Sequence, residues 1–225
     1  MDPKDVVERG YDRIGVEYER WSEGATDYAR EHYARVLLDG LPECAAVLDL
    51  GCGSGVLLTR RLAERFHVTG VELSSHMFDL FRRNVPNAAF VHGDMASIGF
   101  PAQNFDGVCA FYSLTHVPLG ELPNLLHRVA AWLRLGGLFV ASMGNGADSG
   151  SVQDDWVAGV PMYFASYTAE KKTRSWSKRA SYASPAHASR QSTSRAETSP
   201  TCGSWRESQV KSGCNTRTGH LQRFL

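Results

Sequence analysis

Long apolar runs are missing from this chain. In 225 residues no uninterrupted hydrophobic stretch approaches the roughly 18 that a membrane-crossing helix needs. Nor does a basic segment followed by an apolar one open it, so the expectation is a cytoplasmic protein. Cysteine is sparse. Cys44, Cys52, Cys109, Cys202 and Cys214 include no pair at metal-ligand spacing, which argues against a zinc module and sets the metal expectation at none. Cys52 and Cys109 sit in glycine-rich or apolar surroundings and read as reduced, buried small residues. Net charge is lacking too, with 24 basic residues against 24 acidic ones. That balance hides an asymmetry: residues 171–225 carry 11 Lys and Arg against 2 Asp and Glu, leaving 13 against 22 in residues 1–170. An acidic body argues against nucleic acid as substrate, and only the basic tail keeps such a partner open.

What the chain does have is one organising stretch, Val47-Leu48-Asp49-Leu50-Gly51-Cys52-Gly53-Ser54-Gly55. A short apolar run carrying an acid breaks into three alternating glycines and then resumes with Val56, Leu57, Leu58 and Leu62. The pattern predicts a buried strand, a tight turn and a helix over residues 56–66. Glycine serves where the backbone takes positive φ or where a ligand approaches without a Cβ in the way. The following helix aims its free N–H groups at the turn. Asp49 is placed to accept hydrogen bonds from that turn or from a cationic ligand group. Together these features describe a nucleotide-like cofactor site at the carboxyl edge of a parallel sheet. Two relatives of such a site are disfavoured. The loop lacks the third glycine of a dinucleotide fingerprint at position 56, and Leu57-Leu58 stand where a phosphate-cradling loop has Lys and Ser or Thr.

The segment Asp49-Leu50-Gly51-Cys52-Gly53-Ser54-Gly55 resembles the first motif of class I S-adenosylmethionine-dependent methyltransferases, and the similarity runs from about Gly10 to Tyr167. The resemblance implies a Rossmann-like, doubly wound α/β fold, S-adenosyl-L-methionine as cofactor and a small-molecule methyl acceptor. Glu72, some 20 residues past the glycines, closes the strand Val68-Thr69-Gly70-Val71 and stands where a carboxylate grips ribose hydroxyls. Leu73 and Met77 offer an apolar surface to an adenine face, with core packing the competing role for Met77. In the family an acid after the third strand accepts from the adenine amine, which points to Asp94, with Met95 as the neighbouring contact. Cys52 in the turn and Phe111 in the fourth strand complete the expected cofactor set. An aromatic N-terminal segment covers the cofactor in the family, and Tyr11, Tyr18 and Trp21 resemble that lid. The segment after the fourth strand, Ser113-Leu114-Thr115-His116, lines the methyl-transfer crossing in the family. His116 is there the candidate catalytic base, its ordinary pKa suiting proton transfer near neutrality.

Strands expected at residues 45–50, 67–71, 89–91, 105–112 and 138–142 alternate with helices at 56–66, 75–84 and 119–134, the order of a parallel sheet with helices on both faces. Two further helices are expected over residues 3–19 and from 26 or 27 to 41. The organisation is a helical lid over residues 1–44, a methyltransferase domain over 45–170 and a basic tail over 171–225. In the tail Ser fills 11 of 55 positions and large apolar residues are few, the composition of a disordered segment. Either this is a basic Ser/Arg tail that contacts phosphates, or a reading-frame shift near Lys171 has replaced the last helix and strands. The second leaves the fifth strand as an uncovered edge. Two other functions stay open: an NAD(P)-dependent oxidoreductase, and a catalytically impaired remnant that binds cofactor weakly.

Overall fold

Successive residues of a strand face opposite sides of its sheet, and this alternation sorts the core into two layers. In the computed structural model, which describes residues 1–24, 28–144, 146–147 and 149–168, β1 (Ala46–Leu50) is buried along nearly its whole length. Its Leu48 and Leu50 join one apolar cluster while Val47 joins the other. Four more strands pair with it in parallel: β2 (His67–Glu72), β3 (Ala89–His92), β4 (Phe105–Ala110) and β5 (Leu133–Ala141). Their order across the sheet is β3-β2-β1-β4-β5. The chain winds outward from β1 to β3, then returns to β4 on β1's other side, so the sheet reverses its order between β1 and β4. In open α/β sheets that reversal opens a crevice at the carboxyl ends of the strands.

Helix α5 (Leu122–Trp132) lays Leu122, Leu125, Leu126, Val129 and Trp132 on one face of the sheet. The other face receives α2 (Tyr28–Gly40) through Ala34 and Leu37, the short α3 (Thr59–Leu62) through Leu62, and α4 (Ser75–Asn84), whose Phe81 stands against Gly70. Thus α2 belongs to a core layer rather than to a roof. Outside the sheet, α1 (Pro3–Gly24) lies on an antiparallel hairpin of β6 (Ser149–Gln153) and β7 (Met162–Ser166), with Val6 and Val7 packed against Met162, Tyr163 and Ala165. Gly15 interrupts α1 with non-helical φ/ψ.

Several expected boundaries move. The helix expected over 56–66 shrinks to Thr59–Leu62, because Gly51, Gly53 and Gly55 all hold positive φ and the chain is still turning. Arg60 N–H reaches back to the Gly55 carbonyl (2.9 Å), a wider closure than an α-turn. The fifth strand starts at Leu133 rather than 138, since Leu133 pairs with Phe105 and a bulge near the positive-φ Gly136 absorbs extra residues before Leu138 meets Gly107. The fifth helix loses both ends accordingly. β4 stops at Ala110, two residues short of expectation, because Tyr112 turns the chain through the left-handed region. The β6–β7 hairpin was not legible, its first strand being exposed throughout. Among the described residues β5 pairs on one side only, with β4. The basic segment 171–225 and the frame boundary near Lys171 lie outside the described residues.

Candidate functional site

The crevice at the sheet reversal is a cleft of about 670 Å³, the part open to solvent included. Its floor is backbone. Gly51 and Cys52 N–H groups both donate to the Val71 carbonyl at 2.8 and 3.0 Å, clamping the glycine turn onto the end of β2. Gly51 has no alternative there: at φ +72°, a Cβ would sit 2.2 Å from the Cβ of Ser113. Ser113 in turn donates through Oγ to the Leu50 carbonyl at 2.5 Å. At Gly53, φ +57°, an added Cβ would meet nothing within 4 Å, so the turn offers bare backbone to the open space.

Glu72 stands beside this turn, 8% exposed and on the cleft wall. Its Oε2 accepts from Gly53 N–H (2.9 Å), and its Oε1 accepts from Leu73 and Ser74 N–H at 2.8 and 3.0 Å. Burial raises its pKa, and the amides of Ser74, Gly53 and Leu73 oppose that rise. A carboxylate offers about four acceptor directions, so Oε2 keeps one for a ligand hydroxyl. Asp94, beyond β3, also lines the cleft; its Oδ1 accepts from Ala96 N–H (2.8 Å) and its Oδ2 from Ser97 Oγ (2.7 Å). Oδ2 takes a further bond from the ammonium of Lys4 (2.6 Å), and these donors hold the Asp94 pKa low against its burial.

The roof is α1. Lys4, Val7, Tyr11 and Tyr18, spaced by three, four and seven residues, present one helix face to the cleft. His116 closes the far side. The carbonyl of Tyr163 can only accept, so His116 Nδ1 carries the proton it donates there (2.8 Å). Nε2 is therefore the lone-pair nitrogen, and the Tyr11 hydroxyl donates to it at 3.0 Å. Burial lowers the His116 pKa to about 4, so the ring is neutral at physiological pH. Burial likewise keeps the Tyr11 phenol protonated, well above its ordinary range. Tyr18, Trp156 and Phe164 pack around this pair at ring distances of 5–6 Å, while Trp21, 53% exposed, caps the outer edge.

Of the expected cofactor and catalytic residues, the cleft gathers Tyr11, Gly51, Gly53, Glu72, Leu73, Asp94, Met95, Phe111 and His116. Three lie elsewhere. Asp49 shares its strand face with Val47, beneath α3, and accepts from Thr59 Oγ1 at 2.7 Å instead of facing the cleft. The Cys52 thiol turns toward Gly70, while its main chain serves the turn, the N–H donating to Val71 and the carbonyl accepting from Gly55 N–H at 3.1 Å. Met77 is fully buried on α4, so core packing accounts for it. Lys4, Val7, Val117 and Pro118 line the cleft without having been anticipated. The helical spacing of residues 4, 7, 11 and 18 was the available signal for the first two. Among the described residues no group of three His, Cys, Asp or Glu could hold a metal, and no helix is long and apolar enough to cross a membrane.

A parallel 3-2-1-4-5 sheet with a glycine turn and an acid at adjoining strand tips defines the class I methyltransferase fold. Residues 47–137 match the methyltransferase domain family. The chain is 36% identical over 118 residues to dTDP-3-amino-3,6-dideoxy-alpha-D-glucopyranose N,N-dimethyltransferase of Streptomyces fradiae, covering 51% of this chain and 46% of that protein. Over 129 residues it is 37% identical to trans-aconitate 2-methyltransferase of Variovorax paradoxus, covering 56% and 48%. The chain thus spans about half the length of the curated relatives it matches. In fold it is similar to an S-adenosylmethionine-bound amino pentose methyltransferase of Micromonospora echinaspora, with a TM-score of 0.56 and 21% identity over 72% of this chain and 87% of that one. These relatives lend no support to the oxidoreductase alternative.

Proposed function

We propose that this chain transfers a methyl group from S-adenosyl-L-methionine to a small-molecule acceptor carrying an amine or a hydroxyl. The observation that carries the reading is the pairing of bare glycine backbone at Gly53 with Glu72 at the next strand tip. The remaining acceptor direction on Oε2 suits a ribose hydroxyl. Asp94 and Met95, one strand further, suit the adenine, with Leu73 and Phe111 as apolar walls. S-adenosylmethionine, when bound, supplies a methyl group on a sulfonium, already a strong electrophile. The chain's own work is then alignment and exclusion of water. The aromatic roof supplies the exclusion.

His116 and Tyr11 supply a proton path. An amine or hydroxyl acceptor must shed a proton during or after transfer, whereas a carboxylate acceptor need not. A neutral imidazole with its lone pair on Nε2, hydrogen-bonded to a phenol on the cleft wall, fits the first kind. His116 is read as the proton acceptor and Tyr11 as the group that hands it the acceptor's proton or yields its place. A cytoplasmic setting belongs to the same reading, since Cys52 and Cys109 are free thiols.

The test is a mass-spectrometric screen of a metabolite extract incubated with the protein and methyl-labelled S-adenosylmethionine. Label in an amine or hydroxyl compound is the expected result. Label confined to carboxylates overturns the acceptor class, and no label together with no binding of S-adenosylhomocysteine overturns the enzyme.

A further inference from the structure

Among the described residues, polar pins from Asp12, Glu19, Tyr11 and Lys4 help fasten α1 over the cleft, and they differ in what they hold. Asp12 Oδ1 accepts from Ser74 Oγ (2.6 Å) and from His76 N–H (3.1 Å) at the start of α4. Glu19 accepts from Asn84 Nδ2 (2.9 Å) at its end. Both grip the body away from the cleft wall. Tyr11 meets His116 deep in the cleft. Lys4, among these four, joins two separate parts of the body: Asp94, in the loop after β3, and Glu121, which precedes α5. The side chains of Lys4 and Asp94 are 22% and 20% exposed, and that of Glu121 is 41% exposed, so this clip sits where the cleft meets solvent. One ammonium there faces two carboxylates, and donation to Asp94 uses the residue read above as the adenine partner.

We propose that Lys4 is the gate-holding residue of the cleft: by bridging Asp94 and Glu121 it ties the N-terminal end of α1 across the mouth and sets how fast an adenosine ligand enters and leaves. The inference rests on the proposed cofactor reading. Its physics is separate. Ligand passage requires the N-terminal turns of α1 to lift from the wall, and the clip is the ionic contact resisting that motion at the mouth. Lys4 lies in the first turn of α1, ahead of Tyr11 and Asp12, so that turn can lift while Asp12 stays on Ser74 and Glu19 on Asn84. A half-exposed ionic clip is also screened by salt, unlike the apolar contacts of Val6 and Val7 with β7.

Stopped-flow tryptophan fluorescence with S-adenosylhomocysteine, at low and high salt, measures both rate constants. Trp156 reports, because it packs on Tyr11 at 5.7 Å. Relative to the parent protein, Lys4→Met raises the dissociation rate about fivefold, the effect of losing a partly exposed ion pair. The association rate rises as well. Glu121→Gln, which leaves α1 and Asp94 unaltered, gives a smaller change of the same sign. The parent dissociation rate increases with salt, whereas that of Lys4→Met does not. Unchanged rates in both variants, or the same salt response with and without Lys4, overturn the gate while leaving the cofactor reading intact. A parent protein that does not bind the ligand overturns both.

Discussion

The floor and the roof of the cleft are built on different principles. The floor is fixed by main chain: three glycines at positive φ, two amides on the Val71 carbonyl, and Glu72 accepting three amides of its own neighbourhood. Its shape is tied to the sheet and costs little side-chain entropy to hold. The roof is fixed by side chains, Lys4, Tyr11, Asp12 and Glu19, each reaching 60 or more residues along the chain to its partner. The Lys4 pair is partly exposed, and on the gate proposal the roof opens while the floor stays. On the proposed reading, ligand affinity belongs to the floor, and proton handling and access to the roof.

The sharpest way to break this contrast is Gly51→Ala. The new Cβ meets Ser113 at 2.2 Å in a backbone region that non-glycine residues avoid. Left-handed strain and overpacking together cost about 2–5 kcal/mol. Thermal melts should drop by that amount, and calorimetry should show S-adenosylhomocysteine binding lost. A Gly51→Ala protein that melts and binds like the parent shows that the floor is pliable.

His116 carries the next largest effect, and it is read in pH. Its folded pKa lies near 4 and its unfolded value near 6.5. Between those limits the unfolded chain binds a proton that the folded chain refuses, so stability falls as pH falls through that window and levels off below it. The full difference is about 3 kcal/mol. Urea unfolding at pH 7 and pH 4.5 should reveal the slope in the parent and a shallower one in His116→Gln. Equal slopes place the imidazole in water.

Glu72→Gln comes third. It keeps the shape but removes the charge from hydrogen bonds to a ribose, weakening S-adenosylhomocysteine by about 10- to 100-fold. An unchanged affinity takes Glu72 out of ligand binding. Tyr11→Phe is the mildest: the lost hydroxyl leaves that affinity within about twofold and lowers kcat about fivefold, the value of one ordinary hydrogen bond. A large affinity loss instead moves Tyr11 from the proton path to the cofactor's own contacts.

The same contrast explains what could be read from the sequence. Glycines at forced positions and an acid at a strand tip leave local signatures, so Gly51, Gly53, Glu72 and the alternation of strands with helices were legible. Asp49 reads as a cleft residue from its place near a strand end, but strand alternation groups it with Val47 beneath α3. Met77 was ambiguous for a similar reason, since an apolar residue on α4 suits either the core or an adenine. Lys4 left only its helical spacing from Val7 and Tyr11 as a signal. An isolated lysine near the start of an amphipathic helix reads as solvated, and its two acids come from segments 90 and 117 residues away. The hairpin under α1 was equally hidden, because a strand exposed on every residue lacks the alternation that marks a half-buried one.

The central claim, that glycine backbone and Glu72 at neighbouring strand tips form an adenosine site, is tested most directly by calorimetric titration of the full chain with S-adenosylhomocysteine and, separately, with NADH. The account predicts saturable one-to-one heat with the first, none with the second, and at least a tenfold weaker isotherm in Glu72→Gln. Binding of NADH alone, or an isotherm indifferent to Glu72, contradicts it.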